Sequence, residues 1–89
     1  MRIVKPCVSS PGFTCSPGRD ARIDLLRAKA ALAKHGYQVL DAEVLLIATK
    51  DEEVTIYPTG KLLIKTSEAS SAERVADEVY AIFEDEGIL

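Results

Sequence analysis

Cys7, Cys15 and His35 are the only thiol and imidazole side chains in the sequence, and they bound the chemistry it could perform. The eight-residue step from Cys7 to Cys15 fits neither a Cys-x-x-Cys redox pair nor a zinc knuckle. Two thiols are too few for a four-ligand metal site unless a second chain adds its own pair. Cys15, placed by the sequence near a helix start and Arg19, could carry a lowered thiol pKa. A small thiol-redox or metal-binding protein using Cys7 and Cys15 is therefore one alternative. A loop thiol beside a strand thiol explains both residues more simply. Ser16-Pro17-Gly18-Arg19 before a helix could hold an anion at the outward amides, but it lacks the spacing of a phosphate-binding loop. Asp77 and Glu84 share a helix face, and nothing sets one apart as a proton donor. One histidine cannot build a Ser–His–Asp set. The sequence thus predicts no enzyme and no cofactor.

The elements that would position these residues follow from punctuation and period. Arg2 to Val8 reads as a first strand, with Pro6 at an edge or bulge. Ser9 to Gly18 reads as a loop, since Ser-Pro-Gly occurs twice in it. A helix is predicted from Arg19 or Asp20 to His35. Its stripe is Ala21, Leu25, Ala28 and Leu32, widened by Ile23 and Leu26, and Gly36 ends it. Val39 to Thr49 reads as one strand, with Leu40, Ala42, Val44 and Leu46 on one face. Val54 to Tyr57 and Lys61 to Lys65 form a hairpin around Pro58-Thr59-Gly60. A last helix spans Ser70 to Glu86, with a Ser70/Glu73 capping box and a stripe of Ala72, Val75, Ala76, Val79, Ile82 and Phe83. The predicted order is β-α-β-β-β-α in a single domain over residues 1–89. Residues 1–18 are strand and Ser/Pro/Gly loop, and 19–89 are core.

Composition suits that size. With 89 residues, 47% hydrophobic and 28% charged, the chain supports one modest core. No apolar run can span a bilayer, and no h-region follows Met1-Arg2, so a cytoplasmic protein with no membrane partner is expected. Residues 1–37 hold seven basic and two acidic side chains, whereas residues 38–89 hold four basic and twelve acidic ones. Such asymmetry can mark a binding face, and two solvated helix faces of opposite sign are the simpler account of it.

Three segments carry a family resemblance. Ile23-Asp24-Leu25 is similar to the Leu-Asp-Leu that opens a helix of the TATA-box-binding protein family. Thr55-Ile56-Tyr57-Pro58-Thr59-Gly60-Lys61-Leu62-Leu63-Ile64 resembles that family's Leu-Ile-Phe-x-Ser-Gly-Lys-x-Val-Val hairpin, and Arg74, Ala76 and Tyr80 match the last helix in register. The resemblance covers about residues 22–87. It implies an α+β fold like one half of that protein: a curved antiparallel sheet with two helices packed on one face and the other face open. In the family the open face lies in the DNA minor groove, where apolar wedges kink the duplex. By register Tyr57 and Leu40 stand at wedge positions, Lys61 at a phosphate contact and Leu63 at a base-edge contact. Leu46 replaces a phosphate-binding Arg, and Asp51, Glu52 and Glu53 occupy a turn that lies near DNA in the family. Carboxylates beside phosphates oppose the counterion release on which DNA affinity rests. A double-stranded-RNA-binding domain shares the α-β-β-β-α order, but its final helix opens on lysines where this one reads Glu68 to Glu73.

The expected function is a small binding or assembly module that works through the open sheet face. The expected state is a homodimer, and a protein partner is favoured over nucleic acid. The contact residues would be Leu40, Val44, Leu46, Thr55, Tyr57, Lys61, Leu63 and Lys65. A nucleic-acid-binding protein of the TATA-box-binding type is the other alternative.

Overall fold

The computed structural model describes residues 3–6, 12–16 and 22–88. Its elements run β1 (Ile3–Pro6), β2 (Phe13–Ser16), α1 (Leu25–Lys34), β3 (Gln38–Asp41), β4 (Leu46–Thr49), β5 (Glu53–Ile56), β6 (Leu62–Lys65) and α2 (Ala69–Asp85). The strands make one antiparallel sheet in the order β1-β2-β6-β5-β4-β3. Both helices cover the same side, α1 over β3 and β4, α2 over β6 and β2. The class is α+β, as the periodicities predict. No helix among the described residues is long and apolar enough to cross a membrane.

Alternation along the strands decides the core. Cys15, Leu46, Ala48, Val54, Ile56, Leu62 and Ile64 are all fully or almost fully buried on the helix side. Against them pack Leu32 of α1 and Val79 and Phe83 of α2, each 0% exposed. The predicted α2 stripe is buried throughout, and Tyr80 joins it. Gly87 closes α2 at φ 71, and Gly36 closes the α1 end at φ 92, a region where only glycine is unstrained.

Four local expectations change. The Ser9–Gly18 stretch is not all loop, because β2 lies within it between the two Ser-Pro-Gly triplets. Phe13 and Cys15 turn toward the core, and Phe13, Thr14 and Cys15 pair with Ile64, Leu63 and Leu62. Burying two alternate side chains against β6 outweighs the turn-rich flanks. Pro6 falls on the edge strand, where a missing N–H is tolerated. Cys7, Val8, Arg19, Asp20 and Ala21 lie outside the described residues.

Helix α1 starts at Leu25, later than the apolar period implies. Asp24 is extended (φ −82, ψ 108), and its carboxylate accepts from Leu26 N at 3.0 Å and Arg27 N at 3.4 Å. The Ile23 N–H donates instead to Pro58 O at 2.8 Å, which pulls residues 22–24 out of the helix. Leu26, assigned by period to the stripe, is 72% exposed. The capping box is likewise absent: the N-cap of α2 is Glu68, and it makes no side-chain cap bond.

The fourth change matters most. The strand predicted over Val39–Thr49 is a hairpin, β3 and β4, folded at residues 42–45. Glu43 takes φ 70, its N–H bonds Asp41 Oδ1 at 2.9 Å, and Ala42 N donates to Leu45 O at 3.0 Å. The register pairs Leu40 with Ile47 and Asp41 with Leu46, so even residues of β3 face odd residues of β4. Leu40 and Leu46 therefore lie on opposite faces.

Candidate binding face

On the face away from the helices, one row crosses the sheet by direct cross-strand pairing: Thr14, Leu63, Thr55, Ile47 and Leu40. Thr55 is 8% exposed, because Ile47 and Leu63 flank it on the neighbouring strands. Ile47 and Leu63 are half-buried, and Leu40, at the β3 edge, is 63% exposed. Charged and polar groups frame this row. On one side Lys65 Nζ lies 3.3 Å from Glu53 Oε2, between residues paired directly across β5 and β6. On the other, alternation places Tyr57 at the hairpin end, with Lys61 Nζ 5.3 Å from its ring centroid. The turn below is built as expected: Tyr57 N donates to Lys61 O at 2.9 Å, and Gly60 takes φ 86.

The structure thus brings Leu40, Thr55, Tyr57, Lys61, Leu63 and Lys65 onto one surface. Leu46 does not belong to it: the side chain is 0% exposed beneath the helices, and the hairpin fold is the reason. Val44 sits in the 42–45 turn, 71% exposed, rather than within a strand. Ile47 and Thr14 are the members the sequence reading missed. An eleven-residue strand is about twice the usual length, and that was the available sign of a hidden hairpin.

The thiol reading gains no geometry. Cys15 is 0% exposed in the core, Cys7 lies outside the described residues, and no group of three or more His, Cys, Asp or Glu could hold a metal among the described residues. His35 is exposed at the C-cap of α1.

A second polar cluster lies on the helix side, around Tyr37. Lys50 Nζ sits 3.1 Å from Glu78 Oε1, 3.4 Å from His35 O and 5.2 Å from the Tyr37 ring centroid. Burial, and then the Glu78 charge and hydrogen bond, hold the Tyr37 hydroxyl far above its ordinary pKa. Partial burial pushes Glu78 up, but hydrogen bonds from Lys50 and Tyr37 and the charges of Lys50 and Arg74 outweigh it, and the net shift is downward. The arrangement ties α2 to the end of α1 and to the β4–β5 turn. The Tyr37 hydroxyl is thereby kept protonated and hydrogen-bonded to Glu78.

It has a pH signature. Tyr37 binds its proton more tightly folded than unfolded, so its contribution is complete below about pH 10 and declines above it. The stability advantage of wild type over Tyr37→Phe should shrink by about 1.4 kcal/mol per pH unit in that range. The Glu78 contribution has the opposite sense: present above about pH 4.3, it is lost as pH falls through the lower folded value. Because Lys50 and Glu78 are partly solvated, Glu78→Gln should cost only about 0.5–1 kcal/mol at neutral pH. Urea titrations across pH check both signs.

The chain matches no protein-family model, no curated protein and no solved structure, so the sheet face itself has to carry the functional argument.

Proposed function

We propose that this chain is a homodimeric binding module, built like one repeat of the TATA-box-binding protein, whose outer sheet face takes a protein partner. The observation that carries the reading is the paired row Leu63–Thr55–Ile47–Leu40 on the side opposite both helices. Apolar area placed there gains nothing from the core and is stabilised by contact with another surface. Placement of both helices on one side accords with the half-repeat architecture.

Charge favours protein over nucleic acid. Lys65 is paired with Glu53 across β5 and β6, and Glu52 stands in the adjoining turn, whose Asp51 reaches Arg74 of α2 instead. A phosphate backbone approaching this surface meets carboxylates as well as cations. An apolar protein surface meets a row it can bury.

The test begins with capture from lysate, followed by purification of the captured protein and calorimetry. Wild type should bind it, and Leu63→Glu and Tyr57→Glu should each lose at least about tenfold in affinity, since charges at the centre of a contact are seldom tolerated. Undiminished binding by both variants overturns the assignment of this face. Tight binding to duplex DNA that falls steeply with salt would replace the protein reading with the nucleic-acid one.

A further inference from the structure

We infer that two copies of this chain join edge to edge through β3, about a two-fold axis that sets Leu40 of one copy directly opposite Leu40 of the other. The inference rests on the proposed homodimer for the oligomeric state and adds which edge forms it, in what register, and with what helix contact.

Among the described residues the sheet has two edges, β1 and β3. β1 ends on Pro6, which cannot donate to a new ladder. β3 presents regular backbone. The Ala42 N–H bonds Leu45 O at 3.0 Å, so the Ala42 N–H points at β4. Backbone direction alternates along a strand, so Gln38 and Leu40 also bond β4, while the N–H and C=O groups of Val39 and Asp41 point along the open edge. Such an edge is a template for a further strand.

A second copy of β3 fits that template in one register. In a two-fold antiparallel pairing, opposite residues share a face, and the outward groups of Val39 and Asp41 must form the hydrogen-bonded pairs. Setting Leu40 against Leu40 meets both conditions, pairing Val39 of each copy with Asp41 of the other and Gln38 with the small Ala42. Moving the axis to Asp41 would set two carboxylates face to face, which is destabilising. Moving it to Val39 shortens the overlap and sets Leu40 against Gln38.

The helix layer supplies the second, independent contact. Lys29 Nζ reaches Asp41 Oδ2 at 4.0 Å, which fixes the flank of α1 that overhangs β3. Leu26 and Ala33 lie one turn before and after Lys29, on that same flank, and both are exposed. Arg27 and Lys34 point the other way, where both reach Glu86, at 2.7 Å and 3.4 Å. A two-fold axis through β3 brings the two α1 helices antiparallel across the junction, with Leu26 of each facing the other helix. Leu26 and Leu40, two of the three large apolar side chains exposed among the described residues, are thereby covered on both faces of one seam. The two outer rows become a single continuous surface through Leu40.

Light scattering on the full chain, with Leu40→Cys as an oxidative probe, tests this. The expected result is a wild-type dimer, and a Leu40→Cys variant that oxidises to a disulfide-linked dimer on air exposure. Directly opposed, non-hydrogen-bonded residues sit about 4.5 Å apart at Cα, within the disulfide range. Gln38→Cys, several residues from its own copy across the axis, should not cross-link. A double variant, Leu26→Lys with Leu40→Lys, should be monomeric with an unchanged circular dichroism spectrum. A dimer that persists in the double variant, or a Leu40→Cys dimer that does not cross-link, overturns the β3 edge and leaves the homodimer standing. A wild-type monomer at all concentrations removes both.

Discussion

Leu46→Ala lowers the unfolding free energy by about 2–5 kcal/mol, whereas Val44→Ala, two residues away, changes it by less than about 0.5 kcal/mol. Both residues read from sequence as neighbours on one strand face. In the structure Leu46 is 0% exposed and Val44 is 71% exposed. Truncating Leu46 removes apolar contact with a core that includes Ile56, its cross-strand partner, and Leu32 of the helix above, and it leaves a cavity that a short strand cannot collapse. Truncating Val44 removes methyl groups already in water. For a domain of this size, whose whole stability is about 5–15 kcal/mol, the larger loss is a substantial fraction. Each kcal/mol corresponds to a melting shift of roughly 4–8 °C, so thermal unfolding separates the two variants readily. Equal, small effects would mean that the hairpin at residues 42–45 is wrong and the uninterrupted strand right.

Tyr80→Phe is expected to cost about 1–3 kcal/mol, far more than removal of one hydroxyl from a surface tyrosine. The Tyr80 side chain is 2% exposed, and its hydroxyl donates to Gly60 O at 2.7 Å. Gly60 is itself buried in the turn between β5 and β6. Phenylalanine keeps the ring packing but withdraws the donor, so a buried carbonyl loses its partner. The bond joins α2 to the turn that carries Tyr57 and Lys61, and its loss should loosen that turn as well as the fold. Urea unfolding reads the stability, and amide exchange of Gly60 and Lys61 reads the turn. A Tyr80→Phe protein as stable as wild type would show that solvent already satisfies this carbonyl.

Helix α2 was legible because its apolar stripe runs for several turns at one period and ends at a glycine with φ 71. The Pro58-Thr59-Gly60 turn was legible for a similar reason: proline and glycine restrict the backbone locally, whatever surrounds them. Such features need only near neighbours. Two-residue alternation about that turn puts Thr55, Tyr57, Lys61, Leu63 and Lys65 on one face, and it was the family resemblance that implied this face to be the outer one.

What sequence could not decide were the points where a distant partner competes with a local preference. Residues 22–24 leave the helix because the Ile23 N–H finds Pro58 O, 35 positions along the chain. Phe13 and Cys15 become strand because β6 lies beside them. Leu40 and Leu46 part company because the turn at residues 42–45 reverses the chain between them, and the resulting register pairs even positions of β3 with odd positions of β4. Local propensity is summed over a few residues and set by sterics, so sequence alone determined where most elements begin, end and turn. Facing is set by which surface buries more apolar area once all the elements meet, and only the tertiary structure decided that.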